Sequence, residues 1–175
     1  MQNKKRKTAK KVIVALFILY VLAMLFLLII PNNYRSHNVF AGGLNWEQWS
    51  AFVAGGFNIV PLRGITEQIG FILAGENVAR NVIYFFGNLI GFFPLGFFLP
   101  ALFAKQHKFN HFIATGTLAI VCIELLQWVT MRGSFDIDDV ILNVIGACLG
   151  FLLLQRLTKR VIGQEAGGRQ KEIKD

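Results

Sequence analysis

Four long apolar runs, at residues 12–30, 82–104, 109–131 and 140–157, constrain this chain more than any other feature. The first two carry no charge, the third carries Glu124 as its only formal charge, and the fourth stays uncharged until Arg156. A bilayer core is crossed by about 20 apolar residues of helix, because backbone polar groups in hydrocarbon must be satisfied within the segment. The fourth run is short, and snorkelling Arg156 and Lys159 side chains extend it. With 54% hydrophobic and 16% charged residues and a mean hydropathy of +0.52, the chain has too little polar surface for a soluble domain. A disordered chain and a disulfide scaffold are excluded as well, since both cysteines, Cys122 and Cys148, lie inside apolar runs. The expectation is an all-α integral membrane protein, a four-helix transmembrane bundle. One membrane domain (12–157) lies between basic tails at 1–11 and 158–175. The first run exceeds a signal-peptide core and is followed by Pro31-Asn32-Asn33-Tyr34 in place of a small-residue cleavage site, so it reads as a retained anchor.

Lys and Arg set the direction. Six lie in the N-terminal tail, six between Arg156 and Lys174, and Lys105 and Lys108 join the second and third runs. The opposite side holds Arg35, Arg63, Arg80 and Arg132, so both termini are expected in the cytoplasm. The same distribution explains the +8 charge as a topology signal and a contact to anionic membrane lipid, not as a nucleic-acid surface. The loop from 31 to 81 is then external. Asn45 is placed to cap a short helix with Trp46, Trp49, Phe52 and Val53 on one side, and residues 64–74 repeat the pattern with Ile65, Ile69, Ile72 and Leu73. Both read as helices at the membrane interface.

Polar groups inside the runs carry the functional information. Burying a carboxylate at mid-bilayer costs on the order of 3 kcal/mol, so Glu124 must face the bundle interior. A rise of about 1.5 Å per residue puts Glu124, Asn88 and Asn143 roughly 12, 10 and 6 Å below the external helix ends, where they can converge. Asp139, Asn143, Gly146 and Gly150 form one stripe, and Asn81, Asn88 and Leu95 another. Gly146/Gly150 and Gly87/Gly91 have the spacing of close helix contacts. Between the third and fourth runs, Arg132 precedes Asp136, Asp138 and Asp139. These carboxylates fit helix capping, a divalent-cation site, an acid/base pair, or a grip on ligand hydroxyls and amines. No cofactor is otherwise expected. Pro94 and Pro100 predict a kink in the second span, and the pair His107 and His111 is by itself weak grounds for metal.

These residues, in order, resemble the VanZ-like family: Asn58-Ile-Val-Pro61, Asn81, Gly87-Asn88, Phe93-Pro94-Leu95-Gly96, Glu124-Leu-Leu-Gln127, Arg132, Asp136-Ile-Asp138-Asp139, Asn143, Gly146 and Gly150. The match spans roughly positions 20 to 155 and departs at Leu62, where related sequences often have an aromatic residue. The resemblance implies a small bacterial cytoplasmic-membrane protein grouped with an accessory factor for low-level teicoplanin resistance. It marks Glu124, Gln127, Arg132, Asp136, Asp139 and Asn143 as the family's most characteristic stretch.

Three functions compete. The first is a non-enzymatic envelope protein whose outward polar pocket binds a lipoglycopeptide or a lipid-linked cell-wall precursor. Its ligand groups would be Asn81, Asn88, Glu124, Gln127, Arg132, Asp136, Asp138, Asp139 and Asn143, with Arg63 and Arg80 as further phosphate contacts. The second is a metal-assisted enzyme acting on a lipid phosphate, disfavoured because no phosphate-cradling or nucleophile motif is present. The third is a small proton-linked transporter, which with four spans requires a homo-oligomer.

Overall fold

The computed structural model describes residues 2–29, 46–130 and 133–172; Asn45, Arg132 and most of the first half of the long loop lie outside them. The elements run α1 (Gln2–Ile29), α2 (Trp46–Gly55), β1 (Phe57–Asn58), α3 (Arg63–Leu73), α4 (Val78–Leu102), a 3-10 turn (Ala104–His107), α5 (Phe109–Val129), β2 (Phe135–Asp136) and α6 (Ile137–Glu172). Among the described residues, four helices are long and apolar enough to cross a membrane: Lys7–Leu27, Val78–Leu102, Phe109–Val129 and Ile137–Arg160. The fourth span is therefore not short. It begins at Ile137 and takes Asp138 and Asp139 into its first turn, because each carboxylate finds partners there.

Packing is tightest between α4 and α6. Glycine makes this possible from both sides: a Cβ on Gly96 would run into the Ala147 carbonyl, one on Gly146 into that of Leu89, and one on Gly150 into that of Phe93. The backbones approach as small-residue seams allow in membranes. The Gly87/Gly91 pair does not take part. A Cβ at either position would meet open space, and Gly91 instead offers its carbonyl to the Tyr20 hydroxyl of α1 at 3.0 Å. Below the seam, Phe112 of α5 stacks on Phe151 of α6 with ring centroids 4.5 Å apart, and Phe92, Leu95, Ile120, Val140 and Ala147 complete the core. α1 lies outside this core and touches it through Phe17, Tyr20 and Met24. α4 passes through Pro94 and Pro100 as one continuous helix.

One feature departs from an all-helical reading. β1 and β2 pair in parallel, with Phe57 opposite Phe135 and Asn58 opposite Asp136. The rings of Phe57 and Phe135 stack at 5.0 Å, with Trp128 of α5 5.2 Å from Phe57. Trp128 donates its indole N–H to the Val53 carbonyl, and Trp49 donates to that of Val129. These contacts fasten α2 across the end of the bundle where α5 stops and α6 starts.

Candidate functional site

The stripe Asp139, Asn143, Gly146 and Gly150 faces the interior, and polar groups from other helices meet it in tiers. In the deepest tier Asn143 donates its amide to Glu124 Oε1 at 2.9 Å. Glu124 is 3% exposed and Asn143 1%, and neither Glu124 Oε2 nor Asn143 Oδ1 has a partner among the described residues. Removing one member of such a pair strands the other, whereas removing both with apolar replacements approaches neutrality. Asn143→Leu is expected to cost about 3 kcal/mol and the Glu124→Leu/Asn143→Leu double variant markedly less, read by detergent-titration unfolding; strict additivity would show that the pair is not coupled.

One tier nearer the α2–α3 end, Asp139 Oδ1 accepts from the Asn88 amide at 2.7 Å and from the Tyr84 hydroxyl. Asn88 thus meets Asp139, not Glu124. Tyr84 is a member of the tier that hydropathy hides, since an aromatic ring one turn before Asn88 in an apolar run reads as packing. Gln68 of α3 reaches the same hydroxyl.

The last tier joins the two sequence motifs. Asp138, 1% exposed, accepts the backbone N–H of Leu62 on Oδ1 at 2.5 Å and those of Gly64 and Ile65 on Oδ2 at 2.7 and 3.1 Å. A carboxylate from α6 therefore caps the first turn of α3, whose own N-cap position holds Leu62 with φ of 67° and no side-chain cap. A left-handed Leu costs roughly 1–2 kcal/mol, and this cap holds it. Asp136 Oδ1 accepts from Asn58 Nδ2 at 3.0 Å and from the Asp138 N–H at 2.9 Å, starting α6. The three aspartates point to three different partner sets, and among the described residues no group of three acidic, His or Cys side chains is arranged to hold a metal.

A cleft of about 640 Å³ opens beside this last tier, between α2, β1, the start of α3 and residues 134–136. Asp136, Asn58, Ser134, Arg63 and Glu67 supply its polar lining, and Phe52 and Phe57 its apolar side. Arg63 is exposed and paired with Glu67 at 3.2 Å. Of the residues singled out in the sequence, Asp136 and Arg63 line the cleft, while Glu124, Asn143, Asn88, Asp139 and Asp138 form the tiers beneath it. Asn81 is apart, donating to the Glu76 carbonyl where α4 begins. Gln127 is half-buried one turn above Glu124, Arg80 is exposed near the start of α4, and Arg132 is outside the described residues.

A family model described as VanZ/LLP1 matches residues 17–158, which include every tier and the whole cleft lining. The chain belongs to the VanZ-like family. In this VanZ-like chain the two motifs at 58–61 and 136–139 are in direct contact through the Asn58–Asp136 and Leu62–Asp138 hydrogen bonds. No curated protein and no solved structure gives a significant match.

Proposed function

We propose that this VanZ-like envelope protein is a non-enzymatic receptor whose cleft takes the headgroup of an amphiphile. That amphiphile is a lipoglycopeptide of the teicoplanin type or a lipid-linked cell-wall precursor, and its capture contributes to antibiotic tolerance. In this reading the chain sits in the bacterial cytoplasmic membrane with both termini inside, so the α2–α3 end faces outward. The supporting observation is the cleft itself. Its volume of about 640 Å³ falls in the range of ligand pockets, roughly 300–1,000 Å³, and it pairs polar groups with aromatic walls. It lies at the end of the spans, where a headgroup resting in it leaves an acyl chain beside exposed apolar side chains such as Ile59 and Leu62. Binding is favoured over hydrolysis because Asp138 is committed to capping α3 and Asp139 to Tyr84 and Asn88. Arg63 and Arg80 are the phosphate contacts of this reading.

All three tryptophans, Trp46, Trp49 and Trp128, lie at this end, so intrinsic fluorescence reports on the cleft. Teicoplanin or a polyprenyl-linked precursor, added to protein in nanodiscs, is expected to change it saturably. Gly55→Phe places a ring into the open space at the cleft wall and should weaken binding at least about tenfold, while Glu124→Gln, beneath the cleft, should leave it. Identical non-saturating responses from wild type and Gly55→Phe reject the receptor.

A further inference from the structure

The carboxylate in the cleft uses its two oxygens differently. Both hydrogen bonds to Asp136, from Asn58 Nδ2 and the Asp138 N–H, end on Oδ1. They fix the side chain and turn Oδ2 toward Gly64, where an added Cβ would lie 3.4 Å from it. A side chain at position 64 would cover that oxygen; glycine leaves it open to the cleft that both residues line.

Among the described residues, carboxylates outnumber cations around this oxygen. The two groups holding Asp136 are neutral. The guanidinium of Arg63 is engaged by Glu67 at 3.2 Å. Asp138 and Asp139 follow Asp136 in the first turn of α6. Carboxyl groups gathered under a concave, partly apolar surface focus a field that attracts cations.

We propose that the cleft recognises its amphiphile through a protonated primary amine, the ammonium donating to Asp136 Oδ2 while Asn58 and the Asp138 N–H hold the carboxylate in place. This rests on the reading of the cleft as a headgroup site and names the chemistry it selects. Anionic headgroups without an amine are poor ligands, and zwitterionic ones offer their phosphate to the Arg63 rim. The amine can come from a lipoglycopeptide or from an aminophospholipid headgroup, and the two sources are separable.

The experiment follows tryptophan fluorescence of the full chain in phosphatidylglycerol nanodiscs. One arm titrates teicoplanin and its N-acetylated form; the other titrates dihexanoyl phosphatidylethanolamine and its N-acetyl derivative. Charge-assisted hydrogen bonds are strong enough that blocking the amine should weaken binding at least about tenfold in the arm that carries the ligand. Asp136→Asn keeps an acceptor oxygen for Asn58 and the Asp138 N–H, so it removes the charge while preserving the local bonds. In that variant the amine and its acetylated form should bind equally. Glu76→Gln, an exposed carboxylate outside the cleft lining, is the second variant, and it should retain the preference for the amine if Asp136 is the group recognised. Saturable binding that ignores acetylation in wild type overturns the amine and leaves the receptor standing. A preference for the amine that survives intact in folded Asp136→Asn overturns Asp136 as its acceptor. Absence of saturable binding by every probe overturns both readings together.

Discussion

Replacing Gly146 or Gly150 with leucine is expected to leave no monodisperse folded protein, and alanine at either position is expected to cost about 3 kcal/mol or more. The reason is backbone contact. A methyl group at Gly146 meets the Leu89 carbonyl, and one at Gly150 meets the Phe93 carbonyl. A side chain can swing away from an intruding atom, but a helix carbonyl moves only with its helix, so α4 and α6 must separate along their length. Overpacking that forces a backbone shift costs 1–3 kcal/mol or more, and here the separation also disturbs the Asn88–Asp139 bond, about two and three turns away along α6. Gly87→Ala and Gly91→Ala are the controls. Both add a methyl into open space and should be neutral or stabilising by up to about 1 kcal/mol through helix propensity. The measurement is unfolding in mixed detergent micelles; Gly146→Ala unfolding at the same point as Gly87→Ala would contradict the close seam.

Asp138→Asn is expected to be nearly as damaging as Asp138→Ala, at about 3–4 kcal/mol of local stability, although it is an isosteric change. Three backbone N–H groups converge on this carboxylate, and every one is a donor. An amide offers one acceptor and turns an NH₂ toward the remaining donors, which leaves them unsatisfied and adds repulsion. The loss should be confined to the α2–α3 end. Hydrogen exchange of the amides of residues 62–66 should accelerate by two orders of magnitude or more in both variants, while α4 and α6 keep their protection. Rapid exchange throughout α6 would instead mean that Asp138 holds the bundle together, and unchanged exchange at 62–66 would remove its capping role.

The sequence made the spans legible because an apolar run of bilayer length has few other solutions, and the stripe on α6 legible because helical periodicity is rigid. It placed Glu124 and Asn143 in the same half of the membrane, and they are bonded. It also brought Asn88 to the level of Glu124, and here the rise per residue misled. Side chains lean toward the N-terminus of their own helix. α4 begins at the α2–α3 end and α5 finishes there, so Asn88 leans toward that end and Glu124 away from it. Depth counted along the axis omits this tilt, and the two residues fall into separate tiers. The β1–β2 pair was not legible, since two residues per strand carry no alternation. Nor was the cleft, which needs Asn58, Gly64, Glu67 and Ser134 from segments whose approach is fixed by Asp136 and Asp138. Asn58 stood in the quoted motif, yet nothing in its own neighbourhood said which of the downstream aspartates it would hold.

The bond from Asp138 to α3 reaches back more than seventy positions along the chain, and that imposes an order of events on biosynthesis. A nascent polypeptide has the Leu62 turn and its first two apolar helices made well before residue 138, since α4 ends at Leu102, whereas α5 ends at Val129, only nine residues ahead of it. Throughout that interval the turn at Leu62 lacks the acceptor that stabilises it, and the cleft has no floor. The cleft is therefore completed only once the final helix is made, so a product arrested before that point would carry apolar helices but no cleft.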